Sequence, residues 1–146
     1  MEVLERYKES LKLLKENEEY YQQLTGENGL ISICDQKLDY WEHYIEFNKV
    51  ELKQLYRIYK EMKRLRMLRR KYKNDKELIK IFKDNEQKMQ NPSNREILLV
   101  QLCKTDNKQQ NAKYGYTAYT EEEKNQILGI GENKNDDWWF NRRKYR

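Results

Sequence analysis

Val50-Glu51-Leu52-Lys53-Gln54-Leu55-Tyr56-Arg57-Ile58-Tyr59-Lys60-Glu61-Met62-Lys63-Arg64-Leu65-Arg66-Met67-Leu68-Arg69-Arg70-Lys71-Tyr72-Lys73 is the stretch on which the fold turns. Leu52, Leu55, Tyr59 and Met62 recur at steps of three and four, with Ile58, Leu65, Leu68 and Tyr72 close beside them. That spacing places them along one side of an α-helix. The register can run on through Ile79 and Phe82 to Met89. Asn74-Asp75 breaks it in this reading, Asp75 being a residue suited to cap a following helix. The expected division is two helices, at about 49–73 and 75–90, with one helix over 49–90 left open.

Upstream, Asp35 can cap a helix that carries Leu38, Trp41 and Ile45 on one side and Tyr44 next to them. Phe47-Asn48-Lys49 reads as a tight break, giving a helix over about 35–47. A short connection makes the two neighbours antiparallel, so a helical hairpin is the expected centre of the fold. Leu30-Ile31-Ser32-Ile33-Cys34 reads as an apolar link before it. Further upstream, Leu4, Tyr7, Leu11, Leu14, Glu18, Tyr21 and Leu24 follow a heptad-like stripe broken only by Glu18. A helix over 2–24 follows, stopped by Thr25-Gly26-Glu27-Asn28-Gly29. The stripe of residues 4–24 could also pair two copies of the chain into a homodimer.

Downstream, Pro92 cannot continue a helix and biases Asn91 away from helical angles. Ser93 and Glu96 form a capping box before Ile97-Leu98-Leu99-Val100-Gln101-Leu102, which favours a short helix there over a buried strand. Residues 104–118 are polar and read as a loop. Thr120 and Glu123 make a second capping box, before a short helix ending at Leu128-Gly129. The fold class expected is mostly α. Residues 1–90 form a small helical bundle built on the antiparallel hairpin, 91–130 supply short helices and a loop, and 131–146 form a poorly ordered aromatic and basic tail.

Charged residues are 38% of the 146 and apolar residues 37%, with three Phe and twelve Tyr. Such a chain buries narrow stripes and cannot fill a large core, and Tyr suits thin layers because its hydroxyl can stay wet. No apolar run is long enough to span a membrane, and the first residues lack the apolar core of a signal peptide. Cys34 and Cys103 are expected as reduced, partly buried thiols in the cytoplasm of a bacterial host. His43 is the one histidine, there is no Cys-x-x-Cys, and no glycine-rich phosphate loop occurs. The chain is therefore read as no enzyme, with no cofactor and no metal site.

Charge is distributed unevenly. Residues 1–46 hold five Lys/Arg against eleven Asp/Glu, a net of −6. Residues 57–73 hold nine Lys/Arg against Glu61 alone, a net of +8. Arg57, Lys60, Arg64 and Lys71 line one ridge of a helix, and Lys63, Arg66, Arg70 and Lys73 line the next. With Arg69, Arg57, Lys60, Lys63, Arg64, Arg66, Arg70 and Lys73 are the candidate contacts to phosphates or to an acidic partner, unless the acidic N-terminal helices fold against them. Trp138, Trp139 and Phe140, followed by Arg142 and Arg143, are the candidate anchor in the tail, since aromatics beside Arg dominate interface energetics.

Asp35-Gln36-Lys37-Leu38-Asp39-Tyr40-Trp41-Glu42-His43-Tyr44-Ile45-Glu46-Phe47-Asn48, followed by Tyr56-Arg57-Ile58-Tyr59-Lys60-Glu61-Met62-Lys63-Arg64-Leu65-Arg66-Met67-Leu68-Arg69-Arg70, resembles small helical-hairpin accessory proteins of Gram-positive phages and prophages. The likeness covers about residues 35–82. It implies an accessory phage protein, of a kind that often inhibits host defences or adjusts phage transcription or assembly. The leading expectation is a phage-encoded protein that inhibits a host nucleic-acid-processing defence complex, in the manner of an anti-CRISPR protein. The partner expected is then a host protein or ribonucleoprotein complex. A nucleic-acid-binding regulator that uses the basic helix, and a structural subunit of a larger assembly, are the alternatives.

Overall fold

The computed structural model describes residues 2–112 and 119–129. Its elements are α1 (Glu2–Leu24), α2 (Leu30–Phe47), α3 (Leu52–Asp84), a 3-10 helix (Glu86–Gln90), α4 (Pro92–Gln110) and α5 (Glu121–Leu128). The described residues are almost entirely helical and contain no strand, so the mostly α helical bundle stands. Elements α1 to α4 belong to one compact unit ending at Asn111, and α5 belongs to a second that begins at Ala112. In the second unit, Thr120 and Glu123 cap α5 reciprocally, and Gly129 closes it at φ 67°.

In the first unit α3 is the spine. Its 33 residues give a rod about 50 Å long, more than one neighbour can cover. α2 runs antiparallel along its first half, where Cys34, Leu38 and Leu65 are buried together. Trp41, Met62, Leu68 and Tyr72 pack around them. α1 and α4 hold the second half. The Tyr20 hydroxyl donates to Asp75 at 2.8 Å, and the Lys83 ammonium sits 4.7 Å from the centre of the Tyr21 ring. From the other side, the Gln109 amide donates to the Asn74 carbonyl and to Glu77, and Leu98 is buried.

The α1–α2 turn needs glycine twice. Gly26 has φ 94°, a left-handed conformation costly for any side chain. Gly29 is buried, and a Cβ on it would lie 2.6 Å from the Thr25 carbonyl oxygen. The tight turn leaves Leu24 fully buried where α1 reaches the bundle. Beyond that anchor α1 has little to rest on, and Leu4, Tyr7 and Leu11 stay exposed. The heptad-like stripe is thus used by the bundle only at its C-terminal end.

Several expectations need correction. Leu30–Cys34 is no link: α2 starts at Leu30 behind Gly29, and Asp35 spends its carboxylate on Arg69 rather than on a cap. Asn74-Asp75 does not interrupt α3, because Asp75 is taken by Tyr20. One long helix and a 3-10 turn therefore replace the two helices expected at 49–73 and 75–90. α4 is capped by the Asn91 side chain, which accepts from the Ser93 amide, in place of the Ser93–Glu96 box. It runs through residues 104–110, expected as loop, with Gln109 tied back to α3. Cys34 is buried as expected, but Cys103 is exposed, and both are free thiols.

Candidate binding face of the helical hairpin

The side chains that the sequence singles out on α3 all fall on described residues, and the structure sorts them into two sets. Arg66 reaches Glu42 of α2 at 3.3 Å, and Arg69 pairs with Asp35 of α2. Arg64 makes a two-pronged contact with Glu61 one turn back, at 2.6 and 2.9 Å. This pair holds the Glu61 carboxyl below its ordinary range and pushes the Arg64 guanidinium up. By contrast, Arg57, Lys60, Lys63, Lys71 and Lys73 enter no ion pair among the described residues. All five are exposed, as is Arg70.

The acidic N-terminal helix does not neutralise the basic stretch. α1 spends its own charges internally, in the pairs Arg6–Glu2, Lys8–Glu5, Lys12–Glu16 and Lys15–Glu19. Its polar anchors on α3, Asp75 and Lys83, lie past the last basic residue of that stretch. α2 answers Arg66 and Arg69 of α3 there, on one flank. Asp35, Asp39, Glu42 and Glu46 follow one another at steps of four, three and four, so they line one side of α2. Arg66 and Arg69 turn to that side.

The other flank of the hairpin has no such counterweight. Lys37 of α2 lies on it, close enough to Glu61 to help hold that carboxyl down. Arg57, Lys60, Arg64 and Lys71 run along α3 there, over about 21 Å. Glu61, engaged with Arg64, is the acid among them. Beside Lys37, at helical steps of three and four, stand Tyr40, Trp41 and Tyr44. Tyr40 stacks on Tyr44 with ring centres 6.2 Å apart and planes at 28°, and Trp41 meets both edge-on at 5.1 and 5.7 Å. Lys60 lies 4.8 Å from the centre of the Tyr56 ring, a cation–π contact on the same helix.

Two features of this hairpin were not legible as site residues. The first is the aromatic array with Lys37, whose signal was the step of three and four from residue 37 to residue 44. The second is an open apolar groove of about 900 Å³ at the hairpin's connected end, lined by Ile45, Leu52, Leu55, Tyr56, Tyr59 and Met62. The sequence reading treats Leu52, Leu55, Tyr59 and Met62 as a core stripe. The structure buries Ile58 and Leu65 instead and leaves Leu52 76% exposed, because α2 covers the face one step round the helix.

His43 turns its Nδ1 to the Asp39 carbonyl at 2.8 Å, a contact within its own helix. It sits nine residues from Cys34 on α2, about 13 Å along the axis, too far for the two side chains to pair. Burial is the main influence on the Cys34 thiol and pushes its pKa up. Among the described residues no cluster of His, Cys, Asp and Glu could hold a metal ion, and no helix is long and apolar enough to cross a membrane. The tail anchor proposed at Trp138, Trp139, Phe140, Arg142 and Arg143 lies outside the described residues. No protein-family model, curated protein or solved structure matches the chain.

Proposed function

We propose that this chain is a non-enzymatic binding protein, phage-encoded, that inhibits a host nucleic-acid-processing complex by laying the cationic face of α3 on a polyanionic surface. The observation that carries the reading is the imbalance between the two flanks of the hairpin. Asp35 and Glu42 answer Arg69 and Arg66 on one side, while Arg57, Lys60 and Lys71 on the other enter no ion pair among the described residues. Like charges held along one helix repel, and an external polyanion relieves that repulsion while releasing its own counterions. Capture on the purified chain from a low-GC Gram-positive lysate, with and without nuclease and at low and high salt, tests it. A discrete protein retained through nuclease treatment supports the inhibitor. Recovery of nucleic acid alone, lost as salt rises, would point instead to a regulator.

A second reading, assembly through α1, is favoured by the exposed stripe of Leu4, Tyr7 and Leu11. It makes the chain a homodimer or a subunit of something larger. A molar mass that stays monomeric across a wide concentration range would remove the homodimer.

A further inference from the structure

We infer that the open flank of the hairpin binds single-stranded nucleic acid, with phosphates on Arg57, Lys60 and Lys71 and an unpaired base on the ring of Tyr40. This rests on the reading of α3 as a polyanion surface and names the ligand for it. Charge alone would accept any polyanion. What narrows the choice is the aromatic array on α2 beside Lys37, on the helix packed against α3. Trp41 packs against the buried cluster of Cys34, Leu38 and Leu65, so the array has a fixed base. Tyr44 meets Trp41 edge-on, and Tyr40 stacks on Tyr44. Tyr40 is itself 60% exposed. The array therefore ends in an ordered aromatic ring open to solvent, which a planar base can extend by one layer.

Lys37, one turn before Tyr40 on α2, adds a cation to the helix that carries the aromatic ring. A duplex hides its base faces within the stack and offers this ring only its ends. A single strand offers an unpaired base beside each phosphate, the combination found where proteins grip single strands without reading sequence. The shared chemistry admits either single-stranded RNA or single-stranded DNA.

Anisotropy titrations of the full chain with labelled oligo-dT, labelled oligo-U, a labelled duplex and inorganic polyphosphate test this. The single strands should bind more tightly than the duplex, with affinity falling steeply as salt rises. Tyr40→Ala should weaken single-strand binding roughly tenfold and leave polyphosphate binding unchanged. Tyr40→Phe, which keeps the ring, should restore it. R57E/K60E/K71E should abolish all binding. Tyr40 is exposed, so these variants keep the core. Single-strand binding that Tyr40→Ala does not weaken, or equal affinity for duplex and single strand, with polyphosphate still bound, overturns the inference and leaves the polyanion surface standing. Failure of the wild-type chain to bind either single strand or polyphosphate overturns both. Strong protein capture from a lysate without single-strand affinity also overturns the inference and assigns the face to an acidic protein.

Discussion

The two halves of α3 belong to one helix and behave as different materials. Beyond Asn74 the helix is held from two sides, by α1 through Tyr20 and Tyr21 and by α4 through Gln109. Three of its charged residues there serve structure: Asp75 accepts from Tyr20, Glu77 accepts from Gln109, and Lys83 covers Tyr21. Before Tyr72, α2 is the helix packed along it, and Arg57, Lys60, Lys63 and Lys71 there enter no ion pair among the described residues. Charged residues of one helix thus serve two ends, and coverage decides which. Where two helices flank α3, charge fastens the bundle. Where one does, charge is left over for something outside.

That contrast can be strained by substitution. The largest effect is expected in the shared core: Leu65→Ala, at a residue 2% exposed between α2 and α3, should cost about 3 kcal/mol in denaturant unfolding. Leu52→Ala, on the open groove, should stay within about 0.5 kcal/mol of wild type. Similar losses at the two positions would show that α2 does not select the face assigned to it. Next in size, Tyr20→Phe removes the hydrogen bond to Asp75 and should cost about 1 kcal/mol, with faster amide exchange in α1 but not in α2.

The same tyrosine carries a pH signature. Burial, and then the Asp75 hydrogen bond and charge, push its pKa from 10.0 up to about 12. The folded state therefore keeps that proton when the unfolded chain has lost it. Stability from this group is fully present below pH 10 and drains away as pH rises toward 12. Tyr20→Phe should flatten the alkaline limb of the stability curve in that window, and an unchanged limb would count against the docking of α1. The smallest effect is chemical. A thiol reagent should label Cys103 at once, and Cys34 only when the protein unfolds.

Much of this fold was legible from local signals. α1 ends where Thr25-Gly26-Glu27-Asn28-Gly29 said it would, and α5 begins at the Thr120–Glu123 capping box. Two of the departures share one cause. Asp35 and Asp75 are both good capping residues, and both were read as helix starts. Each instead finds a partner far along the chain, Arg69 and Tyr20, which no short window of sequence can reveal. The polar run at 104–110 is helical for a related reason, since Gln109 bonds to Asn74 and Glu77. The candidate site was legible as a basic helix. The division of its residues into paired and open was not, because it depends on which flank of α2 carries Asp35, Asp39, Glu42 and Glu46. In the aromatic array, Trp41 and Tyr44 read as part of the apolar side of a helix and Tyr40 carries no signal of its own.

The central claim is that the open cations bind and the paired ones build. The most direct measurement is lysate capture and polyphosphate binding by two charge-reversed variants, R57E/K60E/K71E and R66E/R69E, with thermal unfolding of each followed in parallel. The account expects the first variant to fold with near wild-type stability and to lose its partner. It expects the second to lose stability first, through the broken pairs with Glu42 and Asp35. Full partner binding by a well-folded R57E/K60E/K71E chain would contradict it.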